Sequence, residues 1–573
     1  MNIFLRIILF VFIHIYTAAG FEFFNESSAI EKFCLSPAVN INNNLFTDKF
    51  SELVSRKGIC RTGKKSENPI TEGLTQTFFT FYEYMQECLY NKMWGYYYTG
   101  KVKFRKGGHF STYPVMLSPY FGHMIAEQAF RMWQGMRGAG TLKKGETFYI
   151  LEFGGGDGTL AFDTLNYIKD KADKNEQWSL FWKQMNYTLG EYSPELQQIQ
   201  FKKNKIYAEK FQSKLVDARY LENYFAKNSI KGLIFSNELL DAFPVHKVRL
   251  YKDGTAKAAI SIPAIPKRDF VNAIGNDERQ FINLKKLEEE DRIFREKFGL
   301  DDERVLYLSK ESFMRIKESC ITDDAYLKDF RFAVHYLFDQ FVSFTERYID
   351  AGQIEGVAEV IQENMQEMKN TVMNSNREFE IVYVNMSAAD FIKGVGKILD
   401  KGYCMTIDFG DTAAKVVYSS DSLRTYNKFR VNYDPYELPG RIDMMSIVDY
   451  TMLDQVGCRA HLNTEFFGGV DALLQQTGVN LESKDSFEKI VSNMKELGFG
   501  KENIAEKMAL VTITNFVRSL HQLNIMVQQK QGTDENYTFA KGARKLREIM
   551  PEDTSKKISK QLFDNYRVFE QAI

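Results

Sequence analysis

Phe148-Tyr149-Ile150-Leu151-Glu152-Phe153-Gly154-Gly155-Gly156-Asp157-Gly158-Thr159-Leu160 is the stretch that decides the fold. An apolar run closes on a carboxylate, passes through alternating glycines and enters a helix-like segment. That order predicts a strand, a tight turn and a helix N-terminus. Glycine lets the backbone turn sharply and approach a ligand closely, and the first turn of a helix offers unpaired N–H groups to an anion. The spacing Glu152-x-Gly154-x-Gly156-x-Gly158 differs from the G-x-G-x-x-G of dinucleotide enzymes. A glycine-rich turn also occurs as a plain loop, so its meaning depends on the strands that follow.

Leu160 to Ile168 reads as the crossover helix. Met185 to Glu191 is a second strand ending in a carboxylate, and Ser193-Pro194 opens another helix with a cap signal. Leu215-Val216-Asp217 reads as a short third strand and Gly232 to Ser236 as a fourth, which ends at Asn237-Glu238-Leu239-Leu240-Asp241. Strands alternating with helices imply an α/β fold with a doubly wound parallel sheet. Helical periodicity from Phe78 to Tyr90 and from Pro119 to Met136 precedes the motif. The rhythm breaks from about 266 to 378, where the text is charged and helical, with an apolar stripe at Leu327, Phe330, Val334, Leu337, Phe338 and Phe341. Sheet signals resume at Glu380 to Val384 and at Tyr403 to Gly410. The predicted organisation is therefore an extended arm (20–74), a helical N-terminal cap (75–140) and a first core part (141–265). A helical insertion (266–378), a second core part (379–480) and a C-terminal helical region (481–573) complete it.

The chain has 573 residues with 74 basic and 75 acidic side chains, a balance that gives no nucleic-acid signature. Met1 to Arg6 with an apolar Ile7 to Tyr16 and small residues Thr17 to Gly20 reads as a signal peptide over residues 1–19. It implies the secretory pathway or the extracellular space, and no later segment reads as a membrane span. Six cysteines show no C-x-x-C pair, so no metal or redox motif is expected, and Cys34 with Cys60 is a plausible clamp on the arm. N-glycosylation sequons begin at Asn25, Asn186, Asn385 and Asn536.

In an open parallel sheet, ligands bind beyond the carboxyl ends of the strands. Those ends carry Glu152, Glu191, Asp217, Asn237 and Asp408, all acidic except one amide. S-adenosylmethionine (SAM) presents ribose hydroxyls, an adenine amino group, an α-ammonium and a sulfonium, so acceptors at those positions suit it. Glu191 is placed to take both ribose hydroxyls and Asp217 to accept from the adenine amino group. Glu152, Gly154, Gly156 and Gly158 complete the expected cofactor cradle.

Several segments then resemble one family in order: Phe81 to Met85, Cys88 to Tyr90, Gly95 to Tyr97, Gly107 to Pro114, Gly154 to Leu160 and Glu191 to Leu196. Asn237 to Val245, Ile407 to Gly410, Ser422 to Tyr426 and Pro439-Gly440-Arg441-Ile442-Asp443 follow. The sequence is similar to the MidA-like family of SAM-dependent methyltransferases, which includes mitochondrial complex I assembly factors that methylate arginine. The resemblance implies a Rossmann-like methyltransferase fold, SAM as cofactor and methyl transfer to a protein nitrogen, the arginine guanidinium. It also implies a mitochondrial alternative for the compartment. Carboxylates can grip a guanidinium by paired hydrogen bonds and favour loss of its proton. Asn237 and Glu238 are expected to orient the acceptor, with Asp241 second, Glu238 and Asp241 sharing one face of a helix start. The sequence departs from the family at Asp157, whose charge is expected to lie near the SAM carboxylate and weaken binding. A fold that binds without turnover, as a scaffold, is the alternative; a nucleotide-dependent oxidoreductase is disfavoured by the glycine spacing.

Overall fold

The computed structural model describes residues 78–99, 102, 112–274, 284–319, 341–419, 422–427, 430–470, 473–474, 478, 481, 483–498, 504–508 and 523–530. The expected signal peptide and arm, the Cys34–Cys60 clamp and nearly all of the 327–341 stripe lie outside them. Helix α1 (Phe81–Tyr90) follows the short β1 (Phe79–Thr80) and starts on a capping box. The Thr80 hydroxyl accepts from the Glu83 N–H, and the Glu83 carboxylate accepts from the Thr80 N–H in return. Next come α2 (Tyr113–Met116), α3 (Tyr120–Gly138), β2 (Phe148–Phe153) and α4 (Thr159–Ala172). β3 (Met185–Glu191), α5 (Pro194–Asn204), β4 (Phe211–Leu215) and β5 (Ile230–Asn237) continue the alternation.

The chain then leaves for a second sheet through β6 (His246–Tyr251), β7 (Ala256–Pro266), β8 (Val305–Tyr307), β9 (Ser343–Asp350) and β10 (Phe379–Val384). It returns through α6 (Met386–Ile398) to β11 (Leu399–Asp411). A three-stranded sheet of β12 (Leu423–Asn427), β13 (Arg430–Asn432) and β14 (Asp443–Ser446) follows. β15 (Val448–Asp449), β16 (Leu462–Gly469), α7 (Lys484–Glu496) and β17 (Leu523–Lys530) end the described chain.

The central sheet is ordered β16-β17-β11-β5-β2-β3-β4, with β15 paired to the end of β11. β4, β3, β2, β5 and β11 run parallel, and β17 runs antiparallel to both its neighbours. The chain builds outward from β2 to β4 and then returns to the other side of β2, so the order reverses between β2 and β5. This is the doubly wound, Rossmann-like arrangement, with a switch point at the carboxyl ends of those strands. Both faces are covered. α3 and α4 pack one apolar cluster with Ile150, Leu233 and Ile407, and α6 packs another with Leu151, Ile234 and Cys404.

The structure corrects three expectations. The third strand is Phe211–Leu215, and Val216 and Asp217 follow it; its polar, exposed edge character hid it from a search for apolar runs. The segment expected as a helical insertion also contains β8 and β9, and β9 pairs with β7 from Ser343 to Asp350. The C-terminal region supplies β17 to the central sheet as well as helix. No helix among the described residues is long and apolar enough to cross a membrane.

The central strands approach unusually closely at one level. Gly232 pairs with Tyr149 on one side and Gly402 on the other. Gly402 has φ 133°, and a Cβ there would lie 1.9 Å from the Gly232 carbonyl oxygen. No side chain can move aside to relieve a clash with backbone. Gly402→Ala is therefore expected to cost about 3 kcal/mol or more of stability, read as a lowered midpoint in urea unfolding. An unchanged midpoint would show that the strands can separate there.

Candidate active site

A cleft opens over the switch point, lined by Gly154 to Asp157, Glu191, Tyr192, Asp217, Arg219 and Asn237 to Leu239. Asp241, Phe243, Asp443 and the α2 residues Pro114 and Val115 close it. Every expected site residue lines this cleft except Gly158 and the strand-end Asp408. That glycine caps α4 with φ 79°, and a Cβ on it would lie 2.9 Å from Asn204 Nδ2 and 3.1 Å from Gln200 Cα. Its work is to let α5 pack against the turn, behind the cleft.

The wall nearest the glycine turn is built around Glu191. Its Oε1 accepts from the Ser193 N–H at 2.9 Å and its Oε2 from Gln200 Nε2 at 2.8 Å. The same Gln200 amide donates to the Gly156 carbonyl at 2.9 Å, tying the carboxylate to the turn. A carboxylate oxygen accepts more than one hydrogen bond, so this grip fixes Glu191 while leaving acceptor capacity on both oxygens. Burial raises the Glu191 carboxyl above its ordinary range. Glu152 is also buried; Tyr187 donates to it at 2.6 Å, and burial pushes it up to about 7.

Two charges behave differently from expectation. Asp157 is neutralised within the protein, since Lys203 Nζ lies 2.6 Å from its Oδ2 while Thr159 donates N–H and hydroxyl to its Oδ1. The repulsion expected from it is thereby largely removed. Asp217 lines the cleft, but Arg219 grips both its oxygens, at 2.8 Å and 2.7 Å, and the Arg219 N–H bonds Oδ1 as well. Little acceptor capacity remains for an adenine amino group, and Arg219, itself buried and also bonded through Nη1 to Gln86, lines the cleft beside it. The Arg219 guanidinium lies over the Tyr90 ring at 4.8 Å.

The side of the cleft formed by the end of β5 and the start of β14 is acidic. Residues 238 to 245 form turns, so Glu238 and Asp241 are brought together by a turn with Glu238 at φ 49°, where a helix start was expected. Asp408 shapes that turn. Its Oδ2 accepts from the N–H groups of Leu239, Leu240 and Asp241, at 3.2, 2.8 and 3.4 Å, and its Oδ1 from Phe409 N–H. Asp408 therefore serves the fold of the site, and it does not line the cleft as its strand-end position suggested. Glu238 Oε1 accepts from Asn237 Nδ2 at 3.1 Å and from the Tyr113 N–H at 3.2 Å. Tyr97 donates to Asp443 Oδ1 at 2.5 Å. Three acceptor atoms here, Asn237 Oδ1, Asp241 Oδ2 and Asp443 Oδ2, are buried with no donor among the described residues. Burial is the main cause that raises the acids: Glu238 to about 8, Asp408 to about 7 and Asp443 to about 6. Asp241 is raised well above the carboxylate range by burial and then by Asp408.

Arg219, Gln200, Lys203 and Asp443 were not assigned roles from the sequence. Asp443 had a signal, since it ends the Pro439-Gly440-Arg441-Ile442-Asp443 segment; the others sit in ordinary helical or loop text. The acceptors at the Glu191 end fit SAM, whose ribose hydroxyls and ammonium they would bind. No group of His, Cys, Asp and Glu suited to a metal ion occurs among the described residues.

A sequence model of a family described as "Putative S-adenosyl-L-methionine-dependent methyltransferase" matches residues 124–468. Among solved structures, a Burkholderia thailandensis protein bound to S-adenosyl-homocysteine aligns at 15% identity, covering 85% of this chain and 94% of that one, with a TM-score of 0.48. A native structure of an uncharacterised protein from the same organism aligns at 14% identity over 85% and 94%, with a TM-score of 0.47.

The raised acids predict how stability depends on pH without ligand. Carboxylates in an unfolded chain titrate near 4. Between there and the folded values of about 6 to 8, the native state holds more protons than the unfolded one. Their contribution is thus complete below pH ~4 and is lost as pH rises through the folded values. The melting temperature should fall from pH 6 to 8.5. Glu238→Gln should flatten that fall by up to one proton, about 1.4 kcal/mol per pH unit. Parallel curves for the two proteins would contradict the assignment.

Proposed function

The chain belongs to this family of SAM-dependent methyltransferases, and from that premise we propose that it methylates a protein nitrogen, the guanidinium of arginine. The reading is carried by one observation: Asn237, Asp241 and Asp443 all line the cleft, and each has a buried side-chain oxygen, Asn237 Oδ1, Asp241 Oδ2 and Asp443 Oδ2, with no donor among the described residues. A guanidinium brings five N–H donors in a planar fork and a permanent charge, which answers such a set better than a neutral group does. SAM, when bound, supplies an activated methyl group on its sulfonium.

The rest is the protein's own work. Glu191, held by Gln200 and Ser193, accepts from the ribose hydroxyls, while Glu152, Gly154 and Gly156 line the cradle beside it. Asp217 acts through Arg219, which it orients toward the adenine end. Asn237 and Glu238 hold the attacking nitrogen, and Asp241 and Asp443 pair the other guanidinium N–H groups. An entering cation draws these raised carboxyls into their ionised form, and Glu238 then takes the proton released when the nitrogen is methylated.

Mass spectrometry after incubation with methyl-labelled SAM and arginine-containing peptides tests this. The wild type should label arginine, and Glu238→Gln and Asp443→Asn should each lower kcat by about 100-fold. Equal labelling by Glu238→Gln, or labelling confined to another residue type, would refute it.

A specific observation bears on the compartment. Asn385 is buried, its side-chain Oδ1 accepts from the Ala388 N–H to cap α6 and its Nδ2 donates to the Leu240 carbonyl at 2.7 Å. That sequon has no room for a glycan in the folded protein. Cys88 and Cys404 are buried thiols. Both features are compatible with the mitochondrial alternative, which we propose here against the secretory reading of residues 1–19. Mass spectrometry of the mature protein from its native cells should find Asn385 unmodified and an N-terminus other than one generated at the Thr17–Gly20 segment; cleavage there with glycans elsewhere would restore the secretory reading.

A further inference from the structure

We propose that Asn493 is a positioning residue whose amide latches α2 over the cleft, so that helix α7 presets the acceptor-facing carboxylate. The inference rests on the reading of Glu238 as the group that faces the acceptor.

α2 has four residues and no side-chain N-cap. A helix so short has no stability of its own and is held by what it packs against. Its position nevertheless matters, because Thr112, Pro114 and Val115 line the cleft and the Tyr113 N–H donates to Glu238 Oε1 at 3.2 Å. The far end of the same segment is fixed by Asn493. This side chain is 7% exposed, and its Nδ2 donates to the carbonyls of Met116 at 3.0 Å and Ser118 at 2.7 Å. One primary amide carries two N–H donors, which matches two converging carbonyls that a hydroxyl or a carboxylate cannot serve together. Apolar contacts reinforce the latch, since Val115 and Met116 pack against the cluster that contains Ile490 and Met494 of α7. A second tie runs to α4, where Ser118 Oγ donates to Asp163 Oδ2 at 2.6 Å.

The route from latch to chemistry is therefore short: Asn493, the Met116 and Ser118 carbonyls, α2, the Tyr113 N–H and Glu238. The Tyr113 N–H and the Asn237 amide favour the ionised form of Glu238, against burial and the charges of Asp408 and Asp443, with Asp241 on the same turn. Around the latch itself stand Asp163, Lys203, Lys489 and Glu496. Of these only Asp163, pushed up to about 6 by burial and bonded by Ser118, is tied to the released segment, so the shift assigned to Glu238 is the part that disappears when Glu238→Gln is combined with the substitution at 493.

The test uses the full chain with Asn493→Ala, and with Asn493→Ser, which keeps one donor, should the alanine variant not fold. Amide hydrogen exchange without ligand should be about 10-fold faster or more over residues 112–118, with β2 and β5 unchanged. The acidic limb of the pH profile of kcat/KM should move to higher pH, with a smaller change in Asn493→Ser. Exchange over 112–118 equal to wild type would overturn the latch. Faster exchange with an unmoved pH profile would overturn its link to Glu238. The exchange measurement needs no turnover, so a failure of the methyl-transfer reading is distinguishable from a failure of this one.

Discussion

Carboxylates buried beside one another must be met by donors or cations, because a charge taken out of water without a partner is costly. Here the ends of β5 and β11 and the start of β14 bring Glu238, Asp241, Asp408 and Asp443 into one buried region. Asp408 is answered from within, by four backbone N–H groups of the turn after β5 and of its own strand. That bond set ties two adjacent strands of the central sheet and fixes the turn that carries Glu238 and Asp241. Asp241 and Asp443 are each left with an oxygen that no donor among the described residues meets, the feature on which the proposed cationic acceptor rests.

The cofactor end follows the opposite logic. Gln200 and Ser193 hold Glu191 firmly, and Lys203 cancels the charge of Asp157 before a ligand arrives. Rigidity there means that little reorganisation accompanies binding, a condition that favours methyl transfer, in which alignment of the reacting atoms matters more than a strong base. The two ends share a scaffold, since Gly154 to Gly156 and Asn237 to Asp241 leave adjacent strands at the switch point.

Much of this arrangement was legible in the sequence, and the reasons for the rest are physical. The apolar run Phe148 to Leu151 announced β2, because a strand buried on both faces reads as a continuous hydrophobic stretch. β3, interrupted by Asn186, Thr188 and Gly190, was marked instead by its closing carboxylate and the Ser193-Pro194 cap signal after it. β4 has one buried residue and a polar edge, so its register slipped by several positions. β17 and β9 depend on partners far away in the chain, Leu399–Asp411 and Ala256–Pro266, and nothing local marks such pairings. Asp408 was legible as a strand-end acid but not as a turn organiser, since the N–H groups it receives become available only once Leu239 to Asp241 fold back. Arg219 and Lys203 were invisible for a similar reason: each takes its role from an acid it meets only in the folded chain.

The central claim is that Glu191 holds a SAM molecule over the glycine turn at the switch point. Titration calorimetry of the wild type and Glu191→Ala with SAM measures it directly, with circular dichroism confirming that both are folded. The account predicts one site per chain in the wild type and an affinity loss of roughly 10-fold or more in the variant, since two charge-assisted hydrogen bonds disappear. Equal affinity in both proteins, or no heat of binding to folded wild type, would contradict it.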